Sequence, residues 1–276
     1  MISFTRTTLI TSLATLAAIL CIASCSTAYD VYLCIGQSNM AGRGDMLPGD
    51  DAVVEGVWLL DSLDRPVPAT APYNRFSTIA KRASFQAINP AWQFSKDMAE
   101  SSRRKVLIVS NARGGTGLDA WQKDYVQTLN DGFGRQFGDE QKLWGTVIPQ
   151  YYSEAVRRAR AAMKYGKLKA IIWHQGESDI SKANTYIERL SRMVNDLRTD
   201  LKAPKVPFVV GEIYKDHAKA EVINSVLRAV PDAIPYTRCV TTEGLTSKPD
   251  NTHFDRAGQI ELGHRYAEAV KDALKR

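Results

Sequence analysis

Cysteine and histidine are scarce, with four of each in 276 residues. Cys21 and Cys25 lie in the first 25 residues. Cys34 and Cys239 each sit inside an apolar run. Two readings stay open for that second pair: a disulfide made in an oxidising compartment, or two buried free thiols. No CxxC or HExxH spacing occurs, so no redox motif, metal or resident cofactor is expected. The net charge is +6, yet no dense Lys/Arg stripe with interleaved aromatics is present, which sets nucleic acid aside as a partner. The clusters Arg103-Arg104-Lys105 and Arg157-Arg158 read as solvated helix ends or faces. Internal repeats and low-complexity tracts are also missing. At 44% hydrophobic and 24% charged residues, the remaining chain is long enough for one large domain with a buried core.

The one long uncharged, mostly apolar stretch covers residues 9–23 and follows Arg6. It is short of the roughly 20 residues that span a bilayer, and reads instead as a secretory signal peptide over residues 1–25. Two exits are open. Ile22-Ala23-Ser24-Cys25 matches a bacterial lipobox, with Cys25 as the lipidated residue and the only route to a membrane. Ser26-Thr27-Ala28 instead offers ordinary cleavage before Tyr29. Both readings export the protein, to the periplasm, the outer membrane or the medium. Oligomeric state leaves no mark in the sequence.

From residue 29 onward, strand and helix signals alternate. Apolar or β-branched runs at 31–35, 105–110, 169–173, 206–213 and 237–240 predict five strands. Helical spacing covers 91–101, 149–165, 183–201, 221–229 and 256–275. Such alternation implies a mostly parallel sheet buried on both faces. The expectation is a single domain over 29–276: a three-layer α/β/α sandwich with a five-stranded sheet. Residues 43–90 and 123–145 break the alternation and read as long loops.

In such sheets the ligand site lies beyond the carboxyl ends of the strands. Four segments fall there: Gly36-Gln37-Ser38-Asn39, Asn111-Ala112-Arg113-Gly114-Gly115-Thr116-Gly117, His174-Gln175-Gly176-Glu177-Ser178-Asp179, and Asp250-Asn251-Thr252-His253-Phe254. Their residue types suit acyl transfer. Ser38 is the candidate nucleophile, and a serine hydroxyl needs an adjacent base. His253 can be that base. Asp250, three residues earlier, can accept the imidazole Nδ1–H and fix its tautomer. Oxyanion donors could come from the Ser38 backbone, the Gly114-Gly115 turn and the Gln175 amide. Gln37 and Asn39 are left to shape the turn. Each piece alone has a plainer reading, such as Ser38 as a helix cap or His174 as a core histidine. Asp255 is expected to cap the last helix. His217 and His264 are expected to carry no catalytic role. The joint placement at one sheet edge favours chemistry.

These segments resemble the SGNH-type hydrolases, and within them the sialate O-acetylesterase-like and acetylxylan-esterase-like carbohydrate esterases. The matching pieces are Gly36-Gln37-Ser38-Asn39-Met40, Gly114-Gly115-Thr116 with Trp121, Trp173-His174-Gln175-Gly176-Glu177-Ser178-Asp179, and Gly244-Leu245 ahead of Asp250-Asn251-Thr252-His253-Phe254. The resemblance spans residues 29–276. It implies Ser38 as nucleophile, with His253 and Asp250 completing a triad. It also implies the backbone N–H groups of Ser38 and Gly115 and the amide of Gln175 as oxyanion donors. Other SGNH enzymes commonly carry Asn in the third block, where this chain has Gln175. Glu177 matches the motif, either orienting His253 or a loop, or as a buried structural acid. The implied activity is removal of O-acetyl groups from a carbohydrate such as acetylxylan or sialic acid. Two alternatives remain: a glycan-binding module without turnover, using loop aromatics such as Trp58, Tyr73, Trp121 and Trp144, and an esterase for lipid or other small esters.

Overall fold

The computed structural model describes residues 28–81, 87–127 and 149–275. The leader reading, with both of its exits, lies outside the described residues, as do most of the expected loop 123–145 and its Trp144.

Strand β1 (Tyr29–Gly36) is buried from Asp30 to its end. Its side chains alternate between two cores, as the period of two in a strand requires. Val31, Leu33 and Ile35 face one core, and Tyr32 and Cys34 face the other. β4 (Val106–Ala112) is wholly buried, and β5 (Gly166–His174) is buried along its last five residues. β6 (Phe208–Gly211) and β7 (Thr237–Val240) complete one side. The first core is covered by α3 (Tyr151–Met163), α4 (Tyr186–Asp200) and α5 (Ala220–Arg228). The second is covered by α2 (Pro90–Ser102) and α7 (Arg256–Leu274). The layers are therefore helix, sheet, helix, as the alternation implies.

The sheet has seven strands rather than five. The two extra strands, β2 (Val57–Leu60) and β3 (Pro66–Pro68), come from the segment expected to be loop. They are short, and β3 is mostly proline, so neither shows a strand pattern in sequence. Proline is tolerated there because β3 lies at the sheet edge. The order is β3-β2-β4-β1-β5-β6-β7, parallel throughout except for the β2–β3 pair. α4 begins later than its periodicity suggests. Residues Glu177–Thr185 form a 3₁₀ stretch with a kink at Lys182, held by the buried Asp179, which binds Arg189 and the Leu118 N–H.

Two other expectations are settled here. Cys34 and Cys239 are both free. They lie on β1 and β7, three strands apart, or roughly 14 Å at normal strand spacing, too far for a disulfide. Arg158 is not solvated. It is fully buried in α3 and donates to the carbonyls of Leu60 and Asp61 at 2.7 and 3.1 Å, with Asp64 at 3.4 Å. The charge on that helix face ties α3 to the end of β2. Asp255 does cap α7, accepting from the Gly258 N–H at 2.8 Å.

β1 sits at the centre, with β4 on one side and β5 on the other. Gly36 pairs with both Ala112 and His174. The carboxyl ends of three strands therefore finish in one row, and the segments after them emerge side by side.

Candidate active site

The end of β1 explains its glycine. The ladder runs on past Gly36, with Gln37 N–H donating to the His174 carbonyl at 2.9 Å and Arg113 N–H to the Gly36 carbonyl at 3.1 Å. Gly36 itself has φ +138°, and a Cβ there would lie 2.2 Å from the His174 oxygen. Gly36→Ala should therefore cost about 2–3 kcal/mol. Urea unfolding at an unchanged slope would report it, and an unshifted midpoint would show that the backbone can absorb the methyl group.

α1 (Ser38–Ala41) starts immediately afterwards. Ser38 is its first residue and is 5% exposed. As the first helical residue it has a backbone N–H with no intrahelical acceptor. His253 arrives from the loop before α7. Its Nε2 lies 3.0 Å from Ser38 Oγ, and its Nδ1 lies 2.6 Å from Asp250 Oδ2. The other Asp250 oxygen accepts the backbone N–H groups of His253 and Thr252 at 2.9 and 3.0 Å. This carboxylate can only accept, so the imidazole proton belongs on Nδ1 and leaves Nε2 free to accept from serine. Burial pushes the Asp250 carboxyl up, but the hydrogen bonds from His253 and Thr252, helped by the ring's charge whenever it is protonated, outweigh it and hold the group near 2.

The turn after β4 closes against the serine. A Cβ on Gly114 would lie 3.3 Å from Ser38 Cβ and 2.7 Å from Arg43 Nη2. Gly114 is thus the residue whose lack of a side chain lets the turn approach, and Gly115 follows it in a left-handed conformation, φ +73°. Arg43 is a site residue that motif reading missed, although it stands five residues after Ser38. Burial lowers its pKa, opposed by the charges of Asp250 and Glu177.

Gln175 departs from its expected role. Its Nε2 faces Asp179 Oδ2 at 2.6 Å, Gln37 Oε1 at 3.1 Å and the Thr116 carbonyl at 3.1 Å. An amide with two N–H groups and three buried acceptors has nothing left for an oxyanion. Gln175 instead ties the ends of β1, β4 and β5 together. Asn39, expected to shape the turn, bonds to Glu177 Oε1 at 2.8 Å and to the loop that carries His253. His174 is a core residue, fully buried with Nδ1 2.8 Å from the Tyr266 hydroxyl. His264 pairs with Asp97 on α2 at 2.6 Å. His217 does touch the site region: its Nδ1 lies 3.0 Å from Thr252 Oγ1, beside His253. Tyr73 and Trp121 are buried, and Trp58 stacks edge-on with Tyr29. These aromatics belong to the packing and not to an open glycan platform.

A serine, an imidazole and a carboxylate in hydrogen-bonded series at the carboxyl edge of a parallel sheet can carry out acyl transfer. Sequence similarity gives the family independently of that geometry. A family profile described as "carbohydrate esterase, sialic acid-specific acetylesterase" matches residues 28–272, and the chain belongs to that family. It is an esterase of the carbohydrate esterase kind. A relative from Arabidopsis thaliana, "probable carbohydrate esterase At4g34215", is 25% identical over 267 residues, covering 87% of this chain and 89% of its own. The crystal structure of that Arabidopsis protein superposes with a TM-score of 0.73 at 22% identity, covering 89% of this chain and 98% of that one. NanS superposes at 0.64 with 19% identity, covering 90% and 98%. A "novel carbohydrate acetylesterase" from Xanthomonas citri, XAC1771, superposes at 0.61 with 16% identity, covering 89% and 57%. At these identities the structures speak for the fold.

Proposed function

We propose that this protein removes O-acetyl groups from a carbohydrate by a two-step serine mechanism. The observation that carries it is the 3.0 Å approach of His253 Nε2 to Ser38 Oγ, backed by Asp250 at 2.6 Å. Ser38 Oγ attacks the acetyl carbonyl carbon as its proton passes to His253 Nε2. The negative charge on the carbonyl oxygen is met by the backbone N–H groups of Ser38 and Gly115. The carbon–oxygen bond to the sugar then breaks, and His253 gives its proton to the departing sugar oxygen. Acetyl-Ser38 remains. His253 next takes a proton from water, whose oxygen attacks the acetyl carbon. Acetate leaves, and the proton returns to Ser38 Oγ. Asp250 stabilises the imidazolium in both halves.

An acetylated sugar is favoured as substrate by the family, whose description names sialic acid; acetylxylan is the alternative glycan. Acetate release from a panel of acetylated glycans separates these. A series of p-nitrophenyl esters tests the acyl specificity. Turnover should fall by at least about 100-fold from acetate to octanoate, because a long acyl chain needs an apolar groove. Comparable rates along the series would make the protein a general or lipid esterase instead.

A further inference from the structure

One side chain holds the catalytic loop on both sides of its histidine. Asn39 Nδ2 donates to the Thr252 carbonyl at 3.1 Å. Asn39 Oδ1 accepts the Phe254 N–H at 3.1 Å and Gln259 Nε2 at 3.3 Å. Thr252 and Phe254 flank His253, and Asn39 itself follows Ser38. Nucleophile and base are thus joined through a second path besides their own hydrogen bond. This path has a weakness. A side-chain amide turned end for end would set its N–H groups against the Phe254 N–H and its oxygen against the Thr252 carbonyl, undoing both contacts. The second partner of Nδ2 is Glu177 Oε1, at 2.8 Å. A carboxylate accepts and never donates, so it fixes which end of the amide faces it.

We propose that Glu177 is a positioning residue: its carboxylate locks the Asn39 amide in the one orientation that clamps Thr252 and Phe254, and so keeps His253 on Ser38. This rests on the Ser38–His253 reading of the site. The surroundings agree. Glu177 Oε2 is buried without a hydrogen-bond partner, an expensive arrangement that packing alone would not favour over an apolar side chain. Burial raises the carboxyl to about 7, against the bond from Asn39, nearby backbone N–H groups and the charge of Arg43. The titratable groups around it are Arg43 after α1, Tyr186 on α4 and Tyr266 on α7. Once protonated, the acid accepts less strongly from Asn39 Nδ2 and can present a donor to it, so Glu177 holds the amide less firmly in that sense. The clamp therefore loosens as pH falls through about 7.

Glu177→Gln keeps the shape and removes the obligatory acceptor. It should lower kcat on p-nitrophenyl acetate by about 10–100-fold, the scale of a small misplacement of reacting groups, with KM within about twofold. The acid limb of kcat should titrate one proton fewer than in the parent protein. Thermal stability should not fall with it. A carboxyl raised from its ordinary 4.5 costs stability when ionised, a cost that builds between pH 4.5 and about 7 and is complete above it. The substitution removes that cost at pH 8. In an Asn39→Ala background, Glu177→Gln should change kcat little further, since the two act through one path. An unchanged kcat and acid limb, a melting temperature that falls in step with kcat, or full additivity with Asn39→Ala would each overturn the assignment. Retained turnover in Ser38→Ala would instead remove the reading beneath it, so the two failures are distinguishable.

Discussion

Ser38→Ala should abolish turnover of p-nitrophenyl acetate, with kcat down by at least about 10⁴-fold. The hydroxyl is the only group at the end of β1 that meets the Nε2 of His253, and no neighbouring side chain can replace it as a nucleophile. Gln37 and Asn39, on either side, are amides, which are not nucleophiles, and both amide oxygens accept hydrogen bonds from other residues. The fold should persist. The side chain is small, and the lost bond is worth about 1 kcal/mol, or about 2–4 °C in melting temperature for a chain of this size. Preserved activity with the same acetate specificity would dismiss Ser38 and move the search to another residue of the same edge.

Asp250→Asn should be nearly as damaging to kcat, by about 10³–10⁴-fold, while changing shape very little. The cause would be the tautomer. The carboxylate accepts from His253 Nδ1 at 2.6 Å. An amide nitrogen in that place would donate to Nδ1 and send the ring proton to Nε2, where it faces Ser38 and cannot accept. The pH profile carries a related expectation. Because Asp250 is held near 2, it stays ionised far below neutrality. Its contribution to folding is present above its ordinary 3.8 and is lost only as pH falls toward 2. Loss of activity in mild acid should therefore include a step from Glu177 and none from Asp250, and steady-state rates from pH 4 to 9 would show it. A wild-type-like kcat in Asp250→Asn would mean the imidazole is oriented by something else.

The sheet was legible because its central strands are short runs of apolar residues, such as Val31 to Ile35 and Ala170 to Trp173, separated by long amphipathic periods. β2 and β3 were not, because four residues between turns and three at an edge leave no periodicity to read. The serine, histidine and aspartate were readable from their places at strand ends. The fate of the amides was not. Gln175 stands where an oxyanion donor was expected, but Asp179, four residues on, turns its N–H groups inward. Asn39 gains its meaning from a loop more than 200 residues away. Arg158 reads as a surface charge on a helix face until the carbonyls of Leu60 and Asp61 are brought to it. Residue type and spacing show what a side chain can do; which partner satisfies it is decided by packing.

β1 also gives the molecule a polarity. The chain enters the sheet at Tyr29, whose N–H meets the Tyr165 carbonyl, and reaches Gly36 at the other rim, the last residue of an eight-residue strand and roughly 23 Å away. Ser38 and His253 meet at the exit rim. A bead or fused partner joined directly ahead of Tyr29 would therefore sit at the entry rim. Such an attachment leaves the Ser38–His253 end of the sheet on the far side and unobstructed.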